Sequence, residues 1–319
     1  MVSSDPGRRI ESAVRRSAAG RRIVLAVSGG RDSMVLMHAC AKAAHRSVAV
    51  VATFDHGTGP LATAASGLVA REGTRLGFPV VLGHAERSGV SEADWRAARM
   101  AFLSDVASRV GAHVMTGHTR DDQVETVVMR VLRDAGARGL AGLYAPGQTL
   151  RPLLDFSRAE VASHGATIGA RWLEDPTNSS MRFLRNRVRR DLLPALTLAS
   201  PGLDDTLLGV ARGAAEWREV LDAFAASISR ISEDGALVVA ARDLAPFSPA
   251  ELAVLWPALA ARVGLAMDWR GTERAAAFTN ASRPGRRIQL SGGWEIARTR
   301  PEFVLRRWRA GALPTTHSG

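Results

Sequence analysis

Five consecutive apolar residues, Ile23 to Val27, run into Ser28-Gly29-Gly30-Arg31-Asp32-Ser33 and then into a second apolar stretch reaching about His45. A buried strand that turns through glycines into a helix is the opening unit of an α/β fold. Gly29 and Gly30 permit backbone conformations that a side chain would block, so that amide N–H groups can converge on one anion. The helix start near Ser33 adds its dipole to the same anion. Ser28 and Ser33 supply hydroxyls, and Asp32 can hold Mg²⁺ against phosphate oxygens. The loop has no Gly-Lys-Ser/Thr ending, which separates it from the Walker type. A capped turn with no ligand needs the glycines and one cap. The added serines and aspartate make Ser28, Gly29, Gly30, Arg31, Asp32 and Ser33 candidate phosphate contacts.

The alternation continues through the first half. Val48 to Phe54 reads as a buried strand with Asp55-His56-Gly57 at its carboxyl end, and Leu61 to Leu76 as a helix stopped by Gly77. Phe78 to Leu82 reads as a strand, Glu92 to about Val110 as a helix, His113 to Thr116 as a strand and Asp121 to Arg133 as a helix. This order predicts a doubly wound parallel sheet, whose ligands sit beyond the carboxyl ends of the strands. Ala135 to Gly147 is glycine-rich and reads as a mobile loop, Ser157 to Gly169 as a helix, and Trp172 to Asn186 as turns. The alternation stops near Ser200-Pro201-Gly202. Helical stretches follow from about Asp204 to Ile231 and Pro249 to Val263, then strand-like pieces at 287–290, 294–297 and 303–307. The expectation is an α/β nucleotide-binding domain over residues 1–212 and a smaller, mainly helical domain over 213–319.

Composition removes several function classes. Cys40 is the single cysteine, so an intrachain disulfide or a cysteine-built metal cluster cannot form within this sequence, and a core thiol is the expected role. The 42 basic against 31 acidic residues give +11, which favours a polyanionic partner such as nucleic acid. Lys42 is the only lysine; a GC-rich coding bias explains the choice of arginine but not the net excess. No apolar run reaches the ~18–20 residues that span a bilayer. The basic start, Met1 to Arg22, lacks a signal peptide's apolar centre, so no membrane partner and a cytoplasmic location are expected.

A second cluster, Gly117-His118-Thr119-Arg120-Asp121-Asp122-Gln123-Val124-Glu125-Thr126, follows the strand at His113. Asp122 and Glu125 share a helix face. The residues alone leave two readings open: carboxylates gathered for a cation or ammonium group, or an acidic helix start favoured by the dipole.

Ser28 to Ser33 resembles the PP-loop of the N-type ATP pyrophosphatases, which split ATP between its α and β phosphates and pass AMP to a substrate oxygen. Within that superfamily, the segment His118 to Glu125, Met129-Arg130 and Gly139-Leu140-Ala141-Gly142-Leu143 is similar to the tRNA(Ile)-lysidine synthetase family. Arg151-Pro152-Leu153-Leu154, Trp172-Leu173-Glu174-Asp175-Pro176-Thr177-Asn178 and Arg185-Asn186-Arg187-Val188-Arg189 follow in that family's order. The resemblance covers about residues 20 to 196. It departs at Thr119-Arg120 and at Gly57-Thr58-Gly59, neither of which removes a carboxylate.

The resemblance implies ATP and Mg²⁺ as co-substrate and cofactor, with free lysine and the CAU-anticodon isoleucine tRNA as substrates. It implies an adenylated wobble cytidine, then ligation of lysine to carbon 2, and decoding changed from AUG to AUA. Asp32, Asp122 and Glu125 become the candidate catalytic residues, with Asp32 on Mg²⁺ and Asp122 and Glu125 on lysine. Arg99, Arg185 and Arg189 join the phosphate loop as ATP contacts, and the 213–319 region is expected to bind tRNA. A homodimer is compatible with the family. Arg96 and Arg99 could equally be an exposed basic face, His56 and His118 could line the pocket or be structural, and Trp172 reads as a core anchor. Rival readings are a tRNA thiolation enzyme, disfavoured by the lone cysteine, a small-molecule ligase resembling NAD synthetase, and a silent nucleotide- or RNA-binding module.

Overall fold

The computed structural model describes residues 5–57, 59–85, 92–174, 180–181 and 183–308. Thr58 and the Asp175-Pro176-Thr177-Asn178 part of the tryptophan motif lie outside them. The chain divides into two compact units, Met1–Ala215 and Glu216–Gly319.

The first unit holds α1 (Pro6–Ala18), β1 (Ile23–Ala26), α2 (Arg31–Ala43), β2 (Val48–Asp55), α3 (Pro60–Arg75), β3 (Val80–His84), α4 (Glu92–Val110), β4 (His113–Thr116) and α5 (Arg120–Val131). The strands form one parallel sheet in the order β3-β2-β1-β4. In register, Ala26 lies opposite Ala52 and Thr116, and Asp55 opposite His84, which brings the carboxyl ends to one edge. A parallel bridge between Met115 and Leu150 extends the β4 side.

Both faces of the sheet are covered, as a parallel sheet requires. On one face Ile23, Leu25 and Val51 pack with Ile10 and Val14 of α1, Met34 to Met37 of α2 and Val69 of α3. On the other, Val24 and Ala52 pack with Leu103, Val106 and Ala107 of α4. Cys40 is fully buried in the first of these cores with its Sγ 3.8 Å from the Met115 sulfur, and burial pushes its thiol up to about 12, so it is an inert core thiol. Trp172 is partly buried against the same core.

After α5 come α6 (Ala137–Leu140), α7 (Arg158–Thr167), α8 (Leu184–Arg187), a π-helical turn (Val188–Leu192), α9 (Leu193–Ala199) and α10 (Leu203–Ser227), the last of which contains the division between the units. The segment expected to be a mobile loop, Ala135 to Gly147, instead forms α6 and a 3₁₀ turn at Gly142–Tyr144. Buried Gln123 of α5 clamps it. Its Nε2 donates to Ala141 O at 3.0 Å, and its Oε1 accepts from Leu143 N at 2.6 Å.

The second unit contains β5 (Ser229–Ile231), β6 (Leu237–Ala240), α11 (Ala241–Leu244), α12 (Pro249–Ala261), α13 (Trp269–Ala281), β7 (Arg287–Leu290), β8 (Trp294–Arg298) and β9 (Glu302–Arg307). Its five strands form an antiparallel sheet in the order β5-β6-β9-β8-β7. Trp256 of α12 is fully buried among Leu237, Ile296, Phe303 and Leu305, and its indole N–H donates to Thr279 Oγ1 at 2.8 Å. The helix expected to reach Ile231 stops at Ser227 because 229–231 pair with Leu237 to Val239 across a turn in which Gly235 takes a φ of 81°.

Candidate active site at the carboxyl ends of the parallel strands

The phosphate loop joins β1 to α2. Gly29 has a φ of 83°, and a Cβ there would lie 2.9 Å from the Ala65 Cβ of α3, so both conformation and space demand glycine. Gly30 caps α2 without a side-chain hydrogen bond, which leaves the amides of the first helical turn without a side-chain cap. Ser33 Oγ donates to Gly30 O at 2.8 Å and accepts from Ser28 N at 3.2 Å, tying the two ends of the loop together. Leu173 N donates to Gly29 O at 3.0 Å, which pins the tryptophan motif to the loop.

Asp32 stands in the first turn of α2, where Arg31 Nε donates to its Oδ1 at 2.9 Å. Burial raises its carboxyl above the ordinary range, opposed by Arg31 and Arg158 and assisted by the nearby Asp122. Among the described residues no group of three or more His, Cys, Asp or Glu side chains could hold a metal ion. One partly buried carboxylate beside a phosphate cradle fits a Mg²⁺ held mainly by nucleotide phosphates and water.

The β4–α5 turn lies against this loop. A Cβ on Gly117 would meet the Asp32 carbonyl oxygen at 2.9 Å and the Ser33 Cα at 3.0 Å. Thr119 then caps α5. Its N–H donates to Asp122 Oδ2 at 2.8 Å, its hydroxyl at 3.0 Å, and the cap accepts from Asp122 N. The box spends one oxygen of Asp122 on the helix start and leaves Oδ1 to accept from arginines.

That oxygen and both oxygens of Glu125 meet three arginines. Arg185 Nη2 donates to Asp122 Oδ1 at 2.9 Å and its Nε to Glu125 Oε2 at 2.8 Å. Arg189 grips Glu125 with both nitrogens, at 2.6 and 3.0 Å, in the bidentate geometry that suits guanidinium and carboxylate. Arg158 Nη2 reaches Asp122 Oδ1 and Glu125 Oε1, each at 3.1 Å. Glu125 is 1% exposed, and only this pairing makes a buried carboxylate tolerable there. Burial pushes both carboxyls up, but the arginines outweigh it and hold both below their ordinary values. Expected as ATP contacts, Arg185 and Arg189 thus lie on the acidic pair.

Behind Asp122 the balance turns positive. Partly buried Arg99 sits within the field of Arg96 and Arg185, and burial with those like charges lowers its pKa. His118 Nδ1 lies 2.8 Å from Thr116 Oγ1; burial, together with Arg151, Arg185 and Arg99, pulls it down to about 4 against the pull of Asp122, so the imidazole is neutral at physiological pH. His56 is lowered by burial and by Arg99, and its buried Nδ1 has no protein partner among the described residues. The Asp55 before it is spent on the loop, accepting from Gly57 N and Thr63 Oγ1, each at 2.8 Å.

The structure thus gathers the phosphate loop, Asp32, Asp122, Glu125, Arg185 and Arg189 at one edge, with Arg99 and His118 alongside. Arg158 and Gly117 were missed as site residues. Arg158 hides behind a capping signature, Ser157-Arg158-Ala159-Glu160, that reads as helix punctuation. A cavity of about 560 Å³ opens beside the pair, lined in part by Asp121, Glu125, Arg158, Arg189 and Leu198.

A family model described as a PP-loop domain matches residues 4–196. The chain is 35% identical over 299 residues to a tRNA(Ile)-lysidine synthase of Salinispora arenicola, covering 86% of this chain and 88% of that protein. It is 35% identical over 242 residues to one of Solibacter usitatus, covering 72% of this chain but 54% of that protein, so it spans about half of that relative's length. Among solved structures, the U34-tRNA thiolase NcsA of Methanococcus maripaludis superposes with a TM-score of 0.54 at 15% identity, over 66% of this chain and 78% of that one, a likeness of fold alone. With the loop, the acidic helix and the arginine segment in place, the chain belongs to the tRNA(Ile)-lysidine synthase family, built on a PP-loop domain.

Proposed function

We propose that this protein is a tRNA(Ile)-lysidine synthetase, a ligase that joins free lysine to carbon 2 of the wobble cytidine in the CAU-anticodon isoleucine tRNA. The observation that carries this reading is the pairing of a phosphate loop with a buried, arginine-bound carboxylate pair at the same strand ends. One half suits splitting a nucleotide, and the other suits orienting an amine.

In the first step cytosine O2 attacks the α-phosphate of ATP; an O–P bond forms and the α–β bond breaks, releasing pyrophosphate. In the second, the ε-nitrogen of lysine attacks carbon 2, the C–O bond breaks, AMP leaves and the nitrogen loses a proton. The loop amides and the α2 dipole stabilise the charge that accumulates on the leaving pyrophosphate. Mg²⁺, when bound, adds positive charge at the same phosphates, and Asp32 is the residue to hold it.

Asp122 and Glu125 already face three guanidiniums, so a fourth cation gains little there. The arrangement favours a neutral amine, the nucleophilic form, with the carboxylates orienting its N–H groups. Because both carboxyls are held below their ordinary values, they are poor bases, and solvent or a phosphate oxygen is the better proton acceptor. The change of decoding from AUG to AUA follows from the product, and the second unit is the proposed tRNA-binding part.

The test incubates the purified protein with unmodified CAU-anticodon isoleucine tRNA, ATP, Mg²⁺ and labelled lysine. Lysine enters the tRNA, and Asp32→Ala abolishes AMP release. Absence of label from folded, ATP-binding protein would sink the reading, and normal AMP release by the variant would remove Asp32 from the metal.

A further inference from the structure

Arg158 is the first residue of α7, and the local sequence holds its backbone rigidly. Ser157 and Glu160 form a capping box in which Ser157 N donates to Glu160 Oε2 at 2.8 Å and Glu160 N to Ser157 Oγ at 3.2 Å. Arg9 Nη1 donates to the other Glu160 oxygen at 3.0 Å. The Arg158 amide donates to Asp121 Oδ2 at 2.7 Å, and Arg120 N donates to Phe156 O at 2.9 Å, so the starts of α5 and α7 are bolted together.

From this anchored backbone the guanidinium spans two half-sites. Its Nη2 meets Asp122 Oδ1 and Glu125 Oε1, and its Nε stands 3.9 Å from Asp32 Oδ2 on the phosphate loop. Among the described residues it is the one side chain ion-paired to both Asp32 and the acidic pair; Arg185 and Arg189 reach only the latter. Three carboxylates this close repel one another, and a planar cation with several fixed N–H directions can hold them at set separations. A lysine ammonium at the same place is a point charge without that geometry.

We propose that Arg158 is a positioning residue that couples the phosphate loop to the acidic pair, setting the distance between the place where the nucleotide is split and the place where the amine is oriented. This rests on the lysidine reading for the nature of the two half-sites. The guanidinium is held by carboxylates on both sides and acts through them. Its removal therefore affects alignment more than the binding of ATP.

Two measurements test it. Arg158→Lys keeps the charge and loses the fork; Arg158→Met loses both. With each variant shown to melt as a folded protein, kcat for lysine incorporation falls about a hundredfold in both while KM for ATP stays within about threefold. Wild-type kcat in Arg158→Lys would overturn the proposal, since charge alone would then suffice. The second measurement is a double-mutant cycle on the Kd of ATP in the presence of Mg²⁺, with Glu125→Gln and Arg158→Met. The two changes are non-additive, with the double variant binding ATP no more weakly than the weaker single variant, if Arg158 carries the coupling, and additive effects would overturn it. Should the wild-type protein bind ATP yet incorporate no lysine, the functional reading fails, and the cycle decides the role of Arg158 alone.

Discussion

At the residue scale, the site is governed by which groups are charged. His118 shows this in the form easiest to measure. Its folded pKa of about 4 lies below its ordinary value of 6.5, with burial as the main cause. The unfolded chain therefore binds a proton below pH 6.5 that the folded protein refuses until about pH 4. Its contribution to stability is complete above 6.5 and is lost as pH falls through that window, at most about 3 kcal/mol for this residue. His38, His56 and His164 are also lowered, each chiefly by burial, and add loss in the same direction. Denaturant melts of the wild type and of His118→Asn, whose amide can still meet Thr116, separate the shares. The variant loses less stability between pH 7 and 5 than the wild type. A constant difference across that range would mean that His118 protonates as freely as in the unfolded chain.

At the scale of elements, the site depends on two loops fitting without a side chain between them. Gly117 closes the β4–α5 turn directly over the backbone of Asp32 and Ser33. A methyl group there has only backbone to push against, so Gly117→Ala must move the α5 start away from α2. The expected cost is about 1–3 kcal/mol in a thermal or urea melt, with a weaker Kd for ATP because the cradle opens. Unchanged stability and affinity would show that the two turns part without consequence. The contact also marks where sequence reading ends. The parallel sheet was legible because each of its strands is apolar and each crossover carries a helical pattern, and Glu92–Val110 and His113–Thr116 fall where the pattern puts them. Asp122 and Glu125 were legible as a shared helix face. What joins them to Asp32 was not, since Arg158 is 33 residues beyond Glu125 and only tertiary packing brings its guanidinium to both carboxylates. In the second unit, β5 and β6 were hidden for a different reason. The pair is short and is joined by a Gly235 turn directly after a long amphipathic helix, so helical periodicity ran on past its end.

At the scale of the whole molecule, the two units each close their own apolar core, and no helix among the described residues is long and apolar enough to cross a membrane. The +11 charge of the chain then has a measurable meaning if the partner is tRNA. Phosphate contacts by arginine release counterions, so tRNA affinity falls with salt while binding of a small nucleotide in a formed cradle responds less. In the second unit, Arg283, Arg286 and Arg300 are exposed around the β7–β9 strands, whereas Arg306 is engaged with buried Glu295 at 2.9 Å. Raising salt from about 50 to about 200 mM weakens tRNA binding by at least about tenfold. The triple variant Arg283→Gln, Arg286→Gln, Arg300→Gln weakens it further at low salt and lowers the salt slope by up to about 3, with KM for ATP unchanged. A filter-binding or anisotropy series across salt reads both quantities. An unchanged slope in a folded triple variant would move the tRNA contacts off these strands, leaving the charge of the first unit to carry them.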